Sequence, residues 1–173
     1  NLQRLLLRSW SARLLAVRRV SQDNRGKRTA GVDGVASLTP TQRWAYARRL
    51  RKLDQAAEPV RRTYLAKPDG GQRPLGIPTM LQRAYQALVK LALEPEWEAV
   101  FEANSYGFRP GRSPHDAIEA VFSFIRRKPK YVLKADIEKC FDKIDHQALL
   151  DKLLTIQPIT KLVRGWLKAG IVD

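Results

Sequence analysis

Residues 131–146, YVLKADIEKCFDKIDH, constrain the fold of this chain more tightly than any other stretch. Tyr131, Leu133, Ala135 and Ile137 alternate with Val132, Lys134 and Asp136, the period of two that a β-strand imposes. The apolar set predicts a face turned to a core. The other set carries Lys134 and Asp136 on the opposite face, near the strand's end. A polar turn follows, and then a helical run of Leu149, Leu150, Leu153 and Leu154, with Asp145 at the N-cap position. A carboxylate placed like Asp136 has two readings. It is a solvated strand-end or capping residue, or it is one corner of a site for a hard cation such as Mg²⁺. The other ligands of such a site would be phosphates and carboxylates from elsewhere.

The rest of the sequence bounds the context of that strand. A chain of 173 residues, 44% of them hydrophobic, is long enough for a real core. It has no run of 18 apolar residues and no signal-peptide pattern, so neither a membrane span nor secretion is expected. Cys140 is the only cysteine, which rules out an internal disulfide and a cysteine-based zinc site. An intracellular location, cytoplasmic or nucleoid-associated, follows as the simpler expectation. His115 and His146 lack metal-ligand spacing and read as surface or capping residues. The chain starts without Met inside a helical pattern and ends on Gly170-Ile171-Val172-Asp173, which reads as the start of another element. A fragment of a longer protein, or the ordered part of one, is therefore expected.

Charge points to a partner. The net charge is +15, and residues 1–63 hold 15 Lys and Arg against 4 Asp and Glu. Arginines interleaved with Trp and Tyr in this way are the footprint of a polyanion, most often nucleic acid. A merely soluble basic surface and an anionic membrane surface are the alternatives.

Residues 2–20 predict a helix with Leu6, Trp10, Leu14 and Val17 on one stripe. A polar connector, SQDNRGKRTAGVDG, follows, with a tight turn expected between Gly31 and Gly34. Thr39-Pro40-Thr41-Gln42 spells a capping box with Pro at the first helical position. The helix it opens points Trp44, Ala47 and Leu50 inward and shows a cationic strip of Arg48, Arg49, Arg51 and Lys52. VRRTYLA, residues 60–66, predicts a strand. KPDGGQRPLGIPT, residues 67–79, turns it back at Asp69-Gly70-Gly71 as a hairpin, and Pro74 and Pro78 keep the return strand irregular or at an edge. Lys67 and Arg73 bracket that turn and could reach one phosphate group together, while Gly76 would allow close backbone approach.

Residues 80–93 predict an amphipathic helix with Leu81, Tyr85, Leu88 and Ala92 on one face, ended or restarted by Pro95. SYGFRPGRS, residues 105–113, is either a stacking and phosphate-binding loop or a structural turn around a buried ring. Ser113 to Asp116 form a second capping box, opening a helix with Ile118, Val121, Phe122 and Ile125 inward. Residues 147–154 and 159–168 predict two more helices, the second with Leu162, Val163 and Trp166 inward. The expected fold class is α+β.

Three of these blocks in this order resemble the reverse transcriptases encoded by group II introns, the intron maturases. KPDGGQRPLGIPT is similar to that family's fingers hairpin and NSYGFRPGRSPHDAI to its next block. YVLKADIEKCFDKIDH is similar to the palm strand with the first catalytic aspartate, and AGVDG sits where the family has an extra N-terminal block. The resemblance covers about residues 25–168. It implies the fingers and the first part of the palm of a right-hand polymerase. Residues 1–36 would be a basic extension and connector, 37–129 the fingers, and 130–173 the start of the palm.

The resemblance also implies roles. Asp136 would be the catalytic ligand of two Mg²⁺ ions, helped by the backbone carbonyl of Ile137. Lys67 and Arg73 would clamp an incoming dNTP, and Phe141 would lie under its sugar and exclude a 2′-hydroxyl. Arg109 and Arg112, with Arg25, Lys27 and Arg28 of the connector, would contact nucleic acid. The implied partners are group II intron RNA, an RNA template, a DNA primer or target, and dNTPs, without a membrane. The family's second palm motif, Tyr or Phe-x-Asp-Asp, does not occur in these 173 residues. The expectation is that they do not polymerise alone. The alternative function is an RNA-binding splicing cofactor whose polymerase activity is secondary or vestigial. A polymerase of another bacterial retroelement fits the AGVDG and SYGFRPGRS blocks less well.

Overall fold

The computed structural model of the chain describes residues 2–68 and 70–173. They form two compact units, residues 1–93 with 145–173, and residues 94–144.

The larger unit begins with two short helices, α1 (Leu2–Arg8) and α2 (Trp10–Arg18). The single helix expected over 2–20 is thus broken at Ser9. Its extended backbone and its side chain, which accepts from the Ala12 amide, make it the N-cap of α2. The break rotates the apolar stripe: Leu7, Ala12, Ala16 and Val17 are buried, while Trp10 reaches the surface. One wide helical turn (Arg19–Asp23) and one tight turn (Arg25–Arg28) lead into the connector. There the amide of Gly34 donates to the carbonyl of Gly31, the turn expected from the two glycines.

Helix α3 (Pro40–Arg49) opens with the expected capping box between Thr39 and Gln42. Ala47 and Leu50 are buried, but Trp44 is not. Its ring packs on Trp10 with centroids 5.4 Å apart, so the two indoles cover each other at the surface instead of filling the core.

Strands β1 (Val60–Ala66) and β2 (Gln72–Ile77) form the expected antiparallel hairpin, with Ala66 opposite Gln72. Asp69 lies outside the described residues; Gly70 takes φ +81°, a conformation glycine adopts without strain. The sheet order is β2-β1-β3, where β3 is Ile171–Val172, parallel to β1. Strand β2 is therefore an edge, which is why it tolerates Pro74, a residue without an amide hydrogen.

Helix α4 (Met80–Val100) runs unbroken through Pro95, where the sequence pattern predicts a stop or restart. Met80, Leu81, Ala84, Tyr85, Leu88, Val89 and Ala92 are buried along one of its faces. The core around them includes residues of α1, α2, α3 and α7 (Gln157–Lys168). Burial of each large side chain here stabilises by about 1.5–3 kcal/mol. The Tyr85 hydroxyl donates toward the carbonyls of Arg49 and Lys52, both at 2.8 Å, and burial pushes its pKa up to about 12. Helix α6 (His146–Lys152) starts at Asp145, whose side chain accepts from the Ala148 amide as expected. Leu154 lies beyond this helix, with φ +43°, and is exposed instead of packed.

The smaller unit holds the last residues of α4, a loop, α5 (Pro114–Ile125) and an irregular stretch to Ile144. The capping box of Ser113 and Asp116 forms, and the serine's hydroxyl and amide hold the Asp116 carboxyl below its usual pKa. Two expectations fail here. Ile118, Val121, Phe122 and Ile125 are exposed, because no described residue of this unit covers the apolar face of α5. Residues 131–137 are irregular, with Tyr131, Val132, Leu133 and Ile137 exposed. A strand needs a neighbour to satisfy its amides and carbonyls, and the described sheet offers this segment no pairing. Among the described residues no helix is long and apolar enough to cross a membrane.

The close passage of Gly31 over the start of α4 supplies a test. A Cβ built on Gly31 would stand 2.6 Å from Thr79 Cα and 2.7 Å from its amide nitrogen, both backbone atoms. Gly31→Ala is expected to destabilise the chain by about 1–3 kcal/mol through overpacking. Tyr85→Phe, which removes only the buried hydroxyl, should cost about 1–2 kcal/mol. The urea midpoint of each variant against wild type is the measurement.

Candidate functional site

The hairpin places its two cations by register. Arg73 pairs with Leu65 across the strands, and directly opposed residues share a face. Lys67 follows Leu65 by two residues and lies just past the end of β1, so it continues the same face. The turn between them is tight: the Lys67 amide donates to the Gly71 carbonyl at 2.8 Å, and the Gly70 amide to the Lys67 carbonyl at 3.1 Å. Both cations are exposed. Gly76 is needed by the packing of the hairpin itself. A Cβ there would meet Val60 Cγ2 at 2.8 Å, so the glycine makes room for the first residue of β1.

Asp136 and Ile137 lie in the irregular stretch of the smaller unit. One Asp136 oxygen accepts the Ile137 amide at 2.9 Å, a bond within its own segment. Asp136 and Phe141 are both exposed. The donor types suit a hard divalent cation, since a carboxylate and a peptide carbonyl are both oxygen ligands. Their number does not: among the described residues no group of three or more His, Cys, Asp or Glu is arranged to hold a metal.

The loop SYGFRPGRS is folded on its own arginines. Arg109 Nη2 donates to Glu98 at 2.5 Å and Nε to both Glu98 oxygens, at 3.0 and 3.1 Å. Its Nη1 donates to the carbonyls of Glu102 and Ser105, and its guanidinium lies 5.3 Å from the Phe101 ring centre. Arg112 Nη1 donates to the Ala103 carbonyl at 2.5 Å, and the guanidinium sits over Tyr106. Phe108, at φ +60°, is fully exposed. Of the connector residues, Arg25 and Arg28 are exposed, and Lys27 Nζ donates to the Gln22 carbonyl at 2.7 Å.

Sequence reasoning missed how the connector is anchored. Arg61 donates through Nε and Nη2 to the Ala30 carbonyl, at 3.0 and 2.9 Å. Arg83 Nη1 donates to the Gly26 carbonyl at 2.9 Å, and Nη2 bonds the Thr29 carbonyl. No local pattern announces bonds between residues 31 to 57 positions apart.

Comparison with known proteins places the chain. Residues 1–50 match the N-terminal domain of reverse transcriptase, and residues 65–172 match the reverse transcriptase (RNA-dependent DNA polymerase) domain. The second match takes in the hairpin turn and β2, the SYGFRPGRS loop and Asp136, and the chain belongs to the reverse transcriptase family. Within it, the chain is 38% identical over 123 residues to the group II intron-encoded protein LtrA of Lactococcus lactis subsp. cremoris, covering 67% of this chain and 20% of that protein. It is 32% identical over 186 residues to the protein YkfC of Escherichia coli K12, covering 100% of this chain and 49% of YkfC. Nuclear intron maturase 1, mitochondrial, of Arabidopsis thaliana is 30% identical over 94 residues, 53% of this chain and 13% of the maturase. The chain thus spans about half the length of YkfC and a fifth of LtrA.

The Glu98–Arg109 pair makes the loop sensitive to acid. Hydrogen bonding and charge from Arg109 hold the Glu98 carboxyl below its ordinary value of 4.5. A depressed acid contributes stability above its unfolded pKa and loses it as pH falls through the folded value. The protection of the Arg109 Nε–H, followed by NMR, should therefore persist at neutral pH and decline in acid below 4.5. Glu98→Gln should lower that protection at neutral pH and remove the acid dependence.

Proposed function

We propose that these residues are the fingers and the beginning of the palm of a group II intron reverse transcriptase, an RNA-directed DNA polymerase that also binds its intron RNA and assists splicing. One continuous family match from the hairpin turn through Asp136 carries this reading. The names of the relatives, an intron-encoded protein and an intron maturase, support its second half. In this reading residues 37–129 belong to the fingers and 130–173 to the palm.

The chemistry assigned to each residue follows from its type and place. Lys67 and Arg73, exposed on one face at the hairpin tip, would neutralise and orient the phosphates of an incoming dNTP; the Arg fork fits phosphate oxygens and the Lys acts as a point charge. Asp136, with the Ile137 carbonyl, would supply oxygen ligands to Mg²⁺. When bound, such ions stabilise charge on the attacking and leaving oxygens of the transferring phosphate. Phe141 would discriminate deoxyribose by bulk, since the 2′-hydroxyl is the one group that distinguishes the two sugars there. Arg25, Lys27, Arg28, Arg109 and Arg112 would lie along the nucleic acid. Arg109 and Arg112 would do so as the frame of their loop, since their guanidinium groups are bonded within it. A polymerase acting on intron RNA and its DNA target would work in the cytoplasm or nucleoid.

One carboxylate does not make a two-metal centre, so the 173-residue chain is expected to extend no primer above a no-enzyme control. In a polymerase containing this region and the remaining palm carboxylates, Asp136→Ala should abolish cDNA synthesis on an RNA template with Mg²⁺ while RNA binding persists. If both wild type and variant promote splicing and neither makes cDNA, the chain belongs to a splicing cofactor with a vestigial polymerase site.

A further inference from the structure

One cleft of the larger unit gathers Arg4, Arg8, Arg13 and Arg51. A second, between α2 and α3, is different in kind. It has a volume of about 450 Å³, and most of its lining is apolar: Leu14, Leu15 and Val17 of α2, with Pro40 and Trp44 of α3. Trp10, Leu14 and Arg18 recur every four residues on α2, and Pro40, Trp44 and Arg48 do so on α3, so each set forms a row along its helix. Trp10 packs on Trp44, which still stays 52% exposed, and Leu15 is open to water as well. A contiguous apolar groove rimmed by polar groups marks an interaction surface. Trp and Arg are the side chains that carry most of the binding energy at such surfaces.

The rim is cationic. Arg18 and Arg43 line the groove, and Arg48 stands one turn beyond Trp44 on the same face of α3. None of the lining residues is acidic. Among the described residues Arg43 and Arg48 pair with no carboxylate, and Arg18 meets Asp23 at 3.5 Å with both side chains at least half exposed. A pair so open to water is weak and gives way to a better placed carboxylate. A nucleic-acid strand fits this groove poorly. Its phosphates need cations along their path, and here the arginines border an apolar lining. A stacked base needs an open ring, and Trp44 already has Trp10 against it.

We propose that this groove docks an acidic amphipathic helix of a partner protein. The helix lays apolar side chains spaced i, i+3, i+4 and i+7 between the two rows and sets Glu or Asp against Arg18, Arg43 and Arg48. The volume is at the lower end of the ~300–1,000 Å³ of binding clefts, room for a few side chains of one helix and not for a folded lobe. Helix α2 is capped by Ser9 and α3 by its capping box, so both walls stand before the partner arrives. Docking here is independent of the polymerase reading.

The test uses the 173-residue chain and a fluorescent helix-forming peptide of about four turns, with Leu on the i, i+3, i+4 and i+7 face and Glu on both flanks, followed by anisotropy. Wild type should bind it. Trp44→Ala should weaken binding about tenfold or more, the loss expected of an anchoring indole. Arg43→Glu should weaken it as well. That substitution puts a negative charge in the first turn of α3, where no acid stands now and the helix dipole favours one, so the thermal midpoint should not fall. The same peptide with Lys in place of Glu should fail to bind wild type and should bind the Arg43→Glu variant more tightly.

Equal binding of wild type by a peptide of the same composition in scrambled order would overturn the proposal, because net charge alone would then suffice. So would binding that Trp44→Ala leaves unchanged, or no binding at all. If the peptide fails while oligo(rU) binds and is weakened by Trp44→Ala, the groove belongs to nucleic acid. If the peptide fails while the chain self-associates and Trp44→Ala abolishes it, the occupant is a second copy. Either result replaces the proposed partner.

Discussion

One face of α4 has to be kept from water, and the larger unit is arranged to do it. Seven apolar residues of that face are buried, and none of the surrounding helices is long enough to cover it alone. The packing is made specific by polar groups that must be satisfied once they are buried. The Tyr85 hydroxyl reaches the end of α3 and the turn after it. Gln82 donates to the Ala56 carbonyl at 3.0 Å and accepts from the Trp166 indole at 2.9 Å, which ties α4 to the segment before β1 and to α7. Thr79 caps the helix through its hydroxyl, which accepts from the Gln82 amide, and leaves only enough room above it for a glycine at 31. These contacts choose one arrangement among the many that a greasy helix surface would allow.

The same helix explains how a hairpin with exposed cations is held firmly. Strand β2 ends at Ile77, two residues before Thr79, so the hairpin is joined to the core by a short link that cannot wander. Arg61 on β1 and Arg83 on α4 both bond carbonyls of the connector and fasten that loop to the hairpin base and to the helix. A strongly basic composition therefore overstates the cations available to a polyanion. Arg13, Arg61, Arg83, Arg109 and Arg112 all donate to backbone carbonyls. They act as cross-links through their many donors as much as through their charge. Lys67, Arg73, Arg4, Arg8 and Arg51 remain at the surface.

The smaller unit shows the opposite condition. Its loop is well knit by Arg109, yet α5 and the segment around Asp136 keep large apolar side chains in solvent. Helix α5 forms nonetheless, because its capping box and its intrahelical bonds are local. The segment 131–137 does not become a strand, because a strand's bonds are made with a neighbour. The difference between a self-sufficient element and a dependent one accounts for both outcomes.

Local chemistry determined what the sequence alone could settle. Caps at Thr39, Ser113 and Asp145, the hairpin around Gly70, the turn from Gly31 to Gly34 and the buried positions of α4 all depend on residues within a few places of one another, and all were legible. The family was legible too, because its motifs are contiguous blocks. Tertiary structure decided the rest. It turned Trp44 onto Trp10 and spent Arg109 on Glu98, while the Ser9 cap and the run of α4 through Pro95 are local outcomes that the pattern of apolar residues did not show. It also joined Ile171–Val172 to β1 and gathered four arginines from three parts of the chain around one cleft. The indole pair, the β1–β3 pairing and the arginine cleft join residues whose spacing carries no periodic signal. Their energy exists only after the core around α4 has brought the partners together.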